Sequence, residues 1–508
     1  METVEVATTG KKVHIPEKLT KQEQICEELA SIVGNKYVED DIGVMYVYSK
    51  DMTELDQYLP NLVVMPKTTE EISEILKLAN KYKVPVQCQV KGLNMGGVHA
   101  LLTGGILIDL RRMNRILEVD EEAEYTLVEA GVTWADIHRE LQEKHPNFRL
   151  SYPFAPAQTG VVSNALLGGH LRFSTKYGPP SDQILSAEVV LPTGEIAYVG
   201  SRGLVKAWDH RQDLPDLLGL FIAWHGATGI VTKAAIRIIP KPKYEEKMVF
   251  GTKNVETTCE LPRRLARTHS FDAVSVVDWR YLMVAMKKCT EIPITGPLDD
   301  IPEGIHTVIY SSFESEEELA SKRKIAKSLA EKYDAQIMAS EAFDIEFRRQ
   351  ADAIDGCPVL GAPGGVGMCF SGAGKGAGLS WIGGLGPDKH IKNLWVKTRE
   401  IFAKYQKIFP QLVVHEMCWG HIGCFREIVS FDAGDPEQVE QVRKAHEEEV
   451  RLLLDHGYLP YKPPKFATDI IINEYADKGF RKLMKKVKEA LDPNGIMAPG
   501  RWGLYEEK

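Results

Sequence analysis

The chain has 508 residues, of which 44% are hydrophobic and 26% charged, with both signs well mixed. That length exceeds one ordinary core and predicts two or three packed units, while the composition excludes long disorder. The net charge of −9 disfavours nucleic acid and anionic membrane surfaces as partners, because polyanions are bound through basic patches.

The opening METVEVATTGKK has neither an apolar segment nor a small-residue cleavage site, so export is not expected. No run reaches the ~18 apolar residues of a membrane span. The cysteines Cys26, Cys88, Cys259, Cys289, Cys357, Cys369, Cys418 and Cys424 form no CxxC pair. Zinc-ribbon and thioredoxin readings therefore fail, and scattered thiols suit a reduced, cytoplasmic protein. Cys418 and Cys424 are close enough in sequence to share a site, or are simply two small core side chains.

The first clear unit runs from Leu62 to Pro85. Leu62 to Met65 is a short apolar run. Thr68 stands three residues before Glu71, a capping-box spacing, and Ile72, Ile75, Leu76 and Ala79 follow helical period. Pro85 ends the helix, and Val86, Cys88 and Val90 alternate as a strand, giving a β-α-β unit. The glycine-rich stretch Lys91-Gly92-Leu93-Asn94-Met95-Gly96-Gly97 follows directly, and Gly104-Gly105 precedes a strand at Ile106 to Asp109.

Further along, Tyr125 to Val128 reads as a strand and Trp134 to Lys144 as a helix. Pro153 to Gly169 is rich in Gly, Ala and Pro. Glu188 to Leu191 and Ile196 to Val199 read as a hairpin about Pro192-Thr-Gly194. Gly229 to Lys233 and Ala235 to Ile239 read as a strand pair ending at Pro240-Lys-Pro242, where a boundary is placed. Helices and strands then alternate to about residue 460, including a charged helix from Glu316 to Tyr333. The glycines between Gly361 and Gly386 predict a loop or a closely packed turn, and a last helix covers Lys478 to Leu491.

Two stretches carry candidate chemistry. In the run from Lys91 to Gly97, small residues let backbone N–H groups approach an anion such as a diphosphate; turn glycines are the alternative. It is no Rossmann fingerprint, since no GxGxxG opens a helix. Nor is Gly374-Lys375 a Walker loop, because Cys369 stands at the first glycine and Gly376 replaces the Ser or Thr. Between Ala155 and His170, the small side chains around Ser163-Asn164-Ala165 would admit a flat ring against the backbone.

In these residues the chain resembles the p-cresol methylhydroxylase / vanillyl-alcohol oxidase flavoprotein family. Five stretches match in order: the unit ending at Lys81-Tyr-Lys-Val-Pro85; Lys91 to Gly97 with Gly105-Ile-Leu-Ile-Asp109; Gly160-Val-Val-Ser-Asn164 followed by Tyr177-Gly178; Gly229-Ile-Val-Thr232; and Asp492-Pro-Asn-Gly-Ile-Met-Ala-Pro-Gly500. The resemblance implies an α+β fold with a split FAD-binding domain, residues 1–243 with 461–508 returning to it, and a mixed α/β cap at 244–460. It implies an FAD-dependent oxidoreductase with Lys91, Gly92, Leu93, Asn94, Met95, Gly96 and Gly97 at the diphosphate. Pro156, Thr159, Gly160, Ser163 and Asn164 would line the ring, and Gly229, Ile230 and Val231 would lie near the adenosine.

Where relatives attach the flavin through histidine, this chain has Leu93 to Met95 in the loop and Gly378 in the cap, so noncovalent FAD is expected; a tyrosyl link is the alternative. The family's phenol-binding Tyr-Arg pair matches Tyr461-Lys462, while Met95 and Ala155 stand where further polar contacts would be. A lysine supplies a point charge rather than a bidentate fork. Lys462, preceding Pro463-Pro464, reads also as an exposed loop lysine. The expected substrate is a small aromatic alcohol or para-alkylphenol.

Trp419-Gly-His421-Ile-Gly423 resembles instead a strand of the 2-hydroxy-acid dehydrogenases of this fold, until Cys424-Phe-Arg426 departs from it. His421 or His415 is thus a candidate base or ligand, or a core histidine, and His170 is a further candidate base. His415-Glu416 is no HExxH, and no metal is expected. A flavoprotein electron-relay subunit is the non-enzymatic alternative. The resemblance also suggests a homodimer or complex subunit and an electron acceptor of unknown identity.

Overall fold

The computed structural model describes residues 1–6, 9–92, 98, 101–153, 155, 157–213, 215–280, 301–338 and 377–505. Three main sheets carry the fold, with two small sheets beside them. The first contains β1 (Val38–Glu39), β2 (Leu62–Val64), β3 (Val86–Gln89) and β4 (Ile106–Asp109), in the order β1-β2-β4-β3. Both β2 and β3 pair in parallel with β4. The β-α-β unit expected from the sequence is present, but β4 lies between its two strands.

Its helix α1 (Thr69–Tyr82) starts where the Thr68 hydroxyl accepts a hydrogen bond from Glu71 N. It buries Ile72, Ile75, Leu76 and Ala79 against β2 to β4. Ile496 and Met497 complete that core, and the chain bridges in parallel to Val86 there. Each fully buried aliphatic side chain contributes about 1.5–3 kcal/mol, so these late residues belong to the first unit energetically.

The second sheet is antiparallel: β5 (Ile116–Asp120), β6 (Tyr125–Glu129), β7 (Ile184–Val190), β8 (Ile196–Gly200) and β9 (Ile230–Arg237), in the order β8-β7-β9-β6-β5. The hairpin β7–β8 forms as expected. The strand pair read at Gly229–Ile239 is instead the single strand β9, inserted between β7 and β6. Ala234, where the reading broke, is not a turn residue, and nothing there stops an extended chain.

The third sheet has eight antiparallel strands: β10 (Tyr244–Thr252), β11 (Ala273–Asp278), β12 (Gly304–Ser312), β13 (Gln336–Met338), β14 (Ala377–Pro387), β15 (Phe409–Cys418), β16 (Ile422–Asp432) and β17 (Leu459–Pro460). Their order is β13-β10-β12-β11-β15-β16-β14-β17. The glycine-rich segment predicted as a loop or turn proves, from Ala377 on, to be the long strand β14; residues 361–376 lie outside the described residues. Its glycines answer to side chains rather than to bends. A Cβ on Gly383 would stand 2.6 Å from Tyr461 Cε1, and one on Gly386 would stand 2.5 Å from Tyr458. The aromatic rings occupy the space that a larger residue would fill.

Candidate active site

A cavity of about 280 Å³ opens where the three sheets meet. Sheet one supplies Gln87 to Val90, with Lys91 and Gly92 following; the second unit supplies Thr159 to Asn164, His170, Phe221 to Gly229 and Val231. The third sheet contributes Trp381 from β14 and Arg426 from β16, and Tyr461 and Lys462 follow directly on β17. A second cavity of about 220 Å³ shares Gln89, Lys91 and Gly92 and adds Lys50 and Arg111.

Local structure explains the placement. The helix α2 (Trp134–Lys144) begins with a complete capping box between Thr133 and Asp136. Its first N–H groups, at Trp134 and Ala135, bind the carbonyls of Thr159 and Ala157. The free donors of one helix end thus fix the small-residue stretch, which continues as the short helix α3 (Val161–Leu166). Tyr461 is fixed in turn by its N–H on Gly383 O at 3.0 Å. Lys462 then takes a left-handed backbone (φ 50°) before Pro464 caps α4 (Lys465–Ile470).

Buried polar atoms around the cavity are left without protein partners. Gln87 Oε1, Gln89 Oε1, Thr159 Oγ1, Asn164 Oδ1, His170 Nδ1, Arg426 Nε and both ring nitrogens of His225 have none among the described residues. Each unpaired buried polar group costs on the order of 1–3 kcal/mol, so a cluster facing one cavity points to a polar ligand that satisfies them.

The charged end has a definite wiring. Arg426 donates through Nη2 to Glu416 Oε2 and through Nη1 to Tyr461 Oη at 3.5 Å. Burial works against the guanidinium, but Glu416 holds it charged, with its pKa raised. Burial pushes the Tyr461 phenol well above its usual range, so it remains a hydrogen-bond donor. Burial, with Arg426 nearby, brings the Lys462 ammonium down to about 8. His170 is buried and held down to about 4, chiefly by desolvation, although its Nε2 lies 3.7 Å from Glu416 Oε1. His225 is brought to about 3 by burial and then by Arg501. Both histidines are neutral at neutral pH.

The structure brings together most of the residues singled out from sequence: Lys91, Gly92, Thr159, Gly160, Ser163, Asn164, Gly229, Val231, His170, Tyr461 and Lys462 all line the cavity. Leu93, Asn94, Met95, Gly96, Gly97 and Pro156 lie outside the described residues. Two expectations are corrected. Ile230 is buried in the core beneath sheet one, because alternate residues of a strand face opposite ways and its neighbours Gly229 and Val231 take the cavity side. His421 is exposed in the β15–β16 turn, stacked on Trp419, and does not line the cavity. His415 is buried and hydrogen-bonded to Asp388 Oδ1 at 2.8 Å.

Gln87, Gln89, His225, Trp381, Glu416 and Arg426 were not found from sequence. A signal existed for three of them. Two glutamines on an otherwise buried parallel strand, and one arginine in the apolar run Cys424 to Phe431, are polar groups that a core does not explain. Cys418 and Cys424 are buried free thiols, Cys424 pushed up to about 12 by burial.

Comparison with known proteins agrees with this architecture. A family described as "FAD binding domain" matches residues 60–200, and "FAD linked oxidases, C-terminal domain" matches residues 465–502. The glycolate oxidase subunit GlcD of Bacillus subtilis is 30% identical over 240 residues, 46% of this chain and 48% of that one. The 4-cresol dehydrogenase [hydroxylating] flavoprotein subunit of Pseudomonas putida is 23% identical over 96% of this chain and 97% of its own. The structure of p-cresol methylhydroxylase with substrate bound superposes with a TM-score of 0.83 at 20% identity, over 96% of this chain and 98% of that one. The chain carries an FAD binding domain and the C-terminal domain of FAD linked oxidases, shares the fold of p-cresol methylhydroxylase, and is an FAD-dependent oxidoreductase.

Proposed function

We propose that this enzyme oxidises a small para-alkylphenol or aromatic alcohol, with FAD held noncovalently. One observation carries the reading: Lys462, Tyr461 and Arg426 converge on a cavity whose remaining wall has the polar atoms and small residues that suit a flavin. Lys91 and Gly92 would hold the diphosphate, Thr159 to Asn164 the ring, and Gly229 and Val231 the adenosine end. In this reading residues 1–243 and 461–508 form the FAD-binding unit and 244–460 the cap.

Bound FAD would supply a hydride acceptor. The chain's own groups handle the substrate oxygen. Lys462 provides a positive charge beside it, and Tyr461 donates a hydrogen bond. Arg426 fixes the Tyr461 hydroxyl and is itself fixed by Glu416. His170, neutral and lining the cavity, accepts the proton that the hydroxyl loses. Trp381 and Arg426 line the cavity from the third sheet, and the burial that shifts Tyr461 and Lys462 also strengthens their hold on a charged oxygen. Similarity to the Pseudomonas 4-cresol dehydrogenase along nearly the whole chain supports the substrate class.

A second reading is supported by the two cations at one end of the cavity and by the resemblance of about half the chain to a glycolate oxidase subunit: a 2-hydroxy acid held by its carboxylate. His421 has no part in it. The five cysteines among the described residues are free thiols, which supports the cytoplasm as compartment. A homodimer is part of the proposal, as is a separate electron acceptor.

Anaerobic mixing with a panel of alkylphenols, aryl alcohols and 2-hydroxy acids tests this. Bleaching of the flavin absorbance by the aromatic compounds is expected. Bleaching by hydroxy acids alone selects the second reading, and bleaching by none makes the chain an electron-relay subunit. Readmitting oxygen, a cytochrome or a quinone to the reduced enzyme then identifies the acceptor.

A further inference from the structure

The helix α5 (Lys478–Leu491) has a charge and an outer face unlike the rest of the chain. It carries six basic residues, Lys478, Arg481, Lys482, Lys485, Lys486 and Lys488, against one acid, Glu489, in a protein of net charge −9. Its inner face is firmly seated. Met484 packs with Ile472 and Leu504, and Lys488 is fully buried, donating to Ala227 O, Met497 O and Asp492 Oδ2. The outer face keeps Phe480 53% and Leu483 61% exposed, one helical turn apart. Lys478, Lys482, Lys485 and Lys486 are exposed on the same helix, Lys486 and Lys482 on the Leu483 side and Lys478 and Lys485 further round. Among the described residues, Lys485 has Glu489 at 3.7 Å, while Lys478, Lys482 and Lys486 have no acidic partner.

We infer that α5 seats the protein peripherally on an anionic lipid surface. The lysines meet the headgroups and let their methylene stems lie along the interface, while Phe480 and Leu483 enter the headgroup–acyl boundary. A second copy of this chain is a poor occupant, because a two-fold contact would set one basic helix against another. The ridge is a convex helix surface that a lipid surface accepts without shape matching. Among the described residues no helix is long and apolar enough to cross a membrane, so attachment through α5 would be reversible. The chain's overall negative charge does not prevent it, because charges more than about 8–10 Å away are largely screened at physiological salt.

Sedimentation of the FAD-loaded protein with phosphatidylcholine vesicles, with and without phosphatidylglycerol, tests the inference. The protein is expected to pellet with the anionic vesicles only, and to be released by salt. Neutralising three lysines (Lys478→Gln, Lys482→Gln, Lys486→Gln) should weaken binding by about 100-fold, at about fivefold per charge. Phe480→Ser with Leu483→Ser should abolish it. Both variants leave Met484 and Lys488 in place and should retain flavin and helical circular dichroism. Wild-type protein that stays in the supernatant with anionic vesicles overturns the inference. So does equal binding by the variants. Retention on polyglutamate without vesicle binding overturns it in favour of an acidic protein partner.

Discussion

His170 Nε2 and Glu416 Oε1 stand 3.7 Å apart, one beside the second sheet and the other on the third. Glu416 also receives Arg426, so a single carboxylate links the neutral histidine to the cation that fixes Tyr461. The pH dependence of catalysis follows from this arrangement. His170 accepts protons only above its pKa of about 4, and Lys462 is charged only below about 8. Flavin reduction by a phenolic substrate should therefore be flat between those values and fall outside them. Stopped-flow rates across pH check this, and Lys462→Arg should move the alkaline limb upward, because a guanidinium keeps its proton.

Lys462→Met keeps the length of the side chain and removes its charge. Losing such a donor from a water-poor site costs about 2.7–4 kcal/mol of transition-state stabilisation, or ~10²–10³ in rate. Flavin content should be unchanged, since Lys462 follows directly on β17 and the stretch at Lys91 and Gly92 is untouched. Near-normal reduction with a turned-over substrate would remove the reason for placing the substrate oxygen there.

Glu416→Gln strips Arg426 of its only ion-pair partner among the described residues. A buried charge left alone costs about 3–5 kcal/mol, so the denaturation midpoint should drop accordingly. Adding Arg426→Met should restore much of the loss, because the pair is then absent rather than broken. A double variant no more stable than Glu416→Gln would contradict this account.

Acid precipitation should release the flavin into the supernatant, because attachment is expected to be noncovalent. A pellet that stays yellow refutes it. Gly160→Val is expected to lower flavin retention sharply. A Cβ at that position stands 2.7 Å from Val90 Cγ1 and 2.9 Å from Ser163 Oγ, and both of these residues line the cavity.

Acid should also unfold the protein through its buried histidines. His170, His225 and His306 are held by burial at about 4, 3 and 3, against an ordinary value of 6.5. The unfolded chain binds these protons first, so the stability is fully present above pH 6.5 and is lost as pH falls towards the folded values. Each site costs on the order of 3 kcal/mol by then. Urea midpoints at pH 7 and 4.5 measure the loss, and His306→Gln should flatten its slope.

Much of the cavity was legible because its walls are built from backbone requirements. Glycines, a capping box and a proline-stopped helix are local signals, and they marked Lys91 to Gly92 and Thr159 to Asn164. Ile230 was misread only by the side of a strand that it faces. The electrostatics were less legible, because Glu416 and Arg426 become partners only through the β15–β16 register, which sets Val414 opposite Arg426 and Glu416 opposite Cys424. His421 misled for the opposite reason: a familiar local string had settled in an exposed turn. The glycines of β14 gave the right residue type for the wrong reason, since their neighbours Tyr458 and Tyr461 come from a distant segment.

The parallel bridge between Val86 and Met497, with Val86 N on Ile496 O at 2.7 Å, has a consequence for biosynthesis. The edge strand of the first sheet leaves the ribosome more than four hundred residues before the segment that covers it. At about 5–20 residues per second, that edge waits roughly 20–80 s. Throughout that interval Val86 and its neighbours present an open, apolar strand edge, the kind that templates aggregation. Yield in a heterologous host should therefore depend on chaperone supply and on slow growth at low temperature more than on the thermodynamic stability of the finished fold.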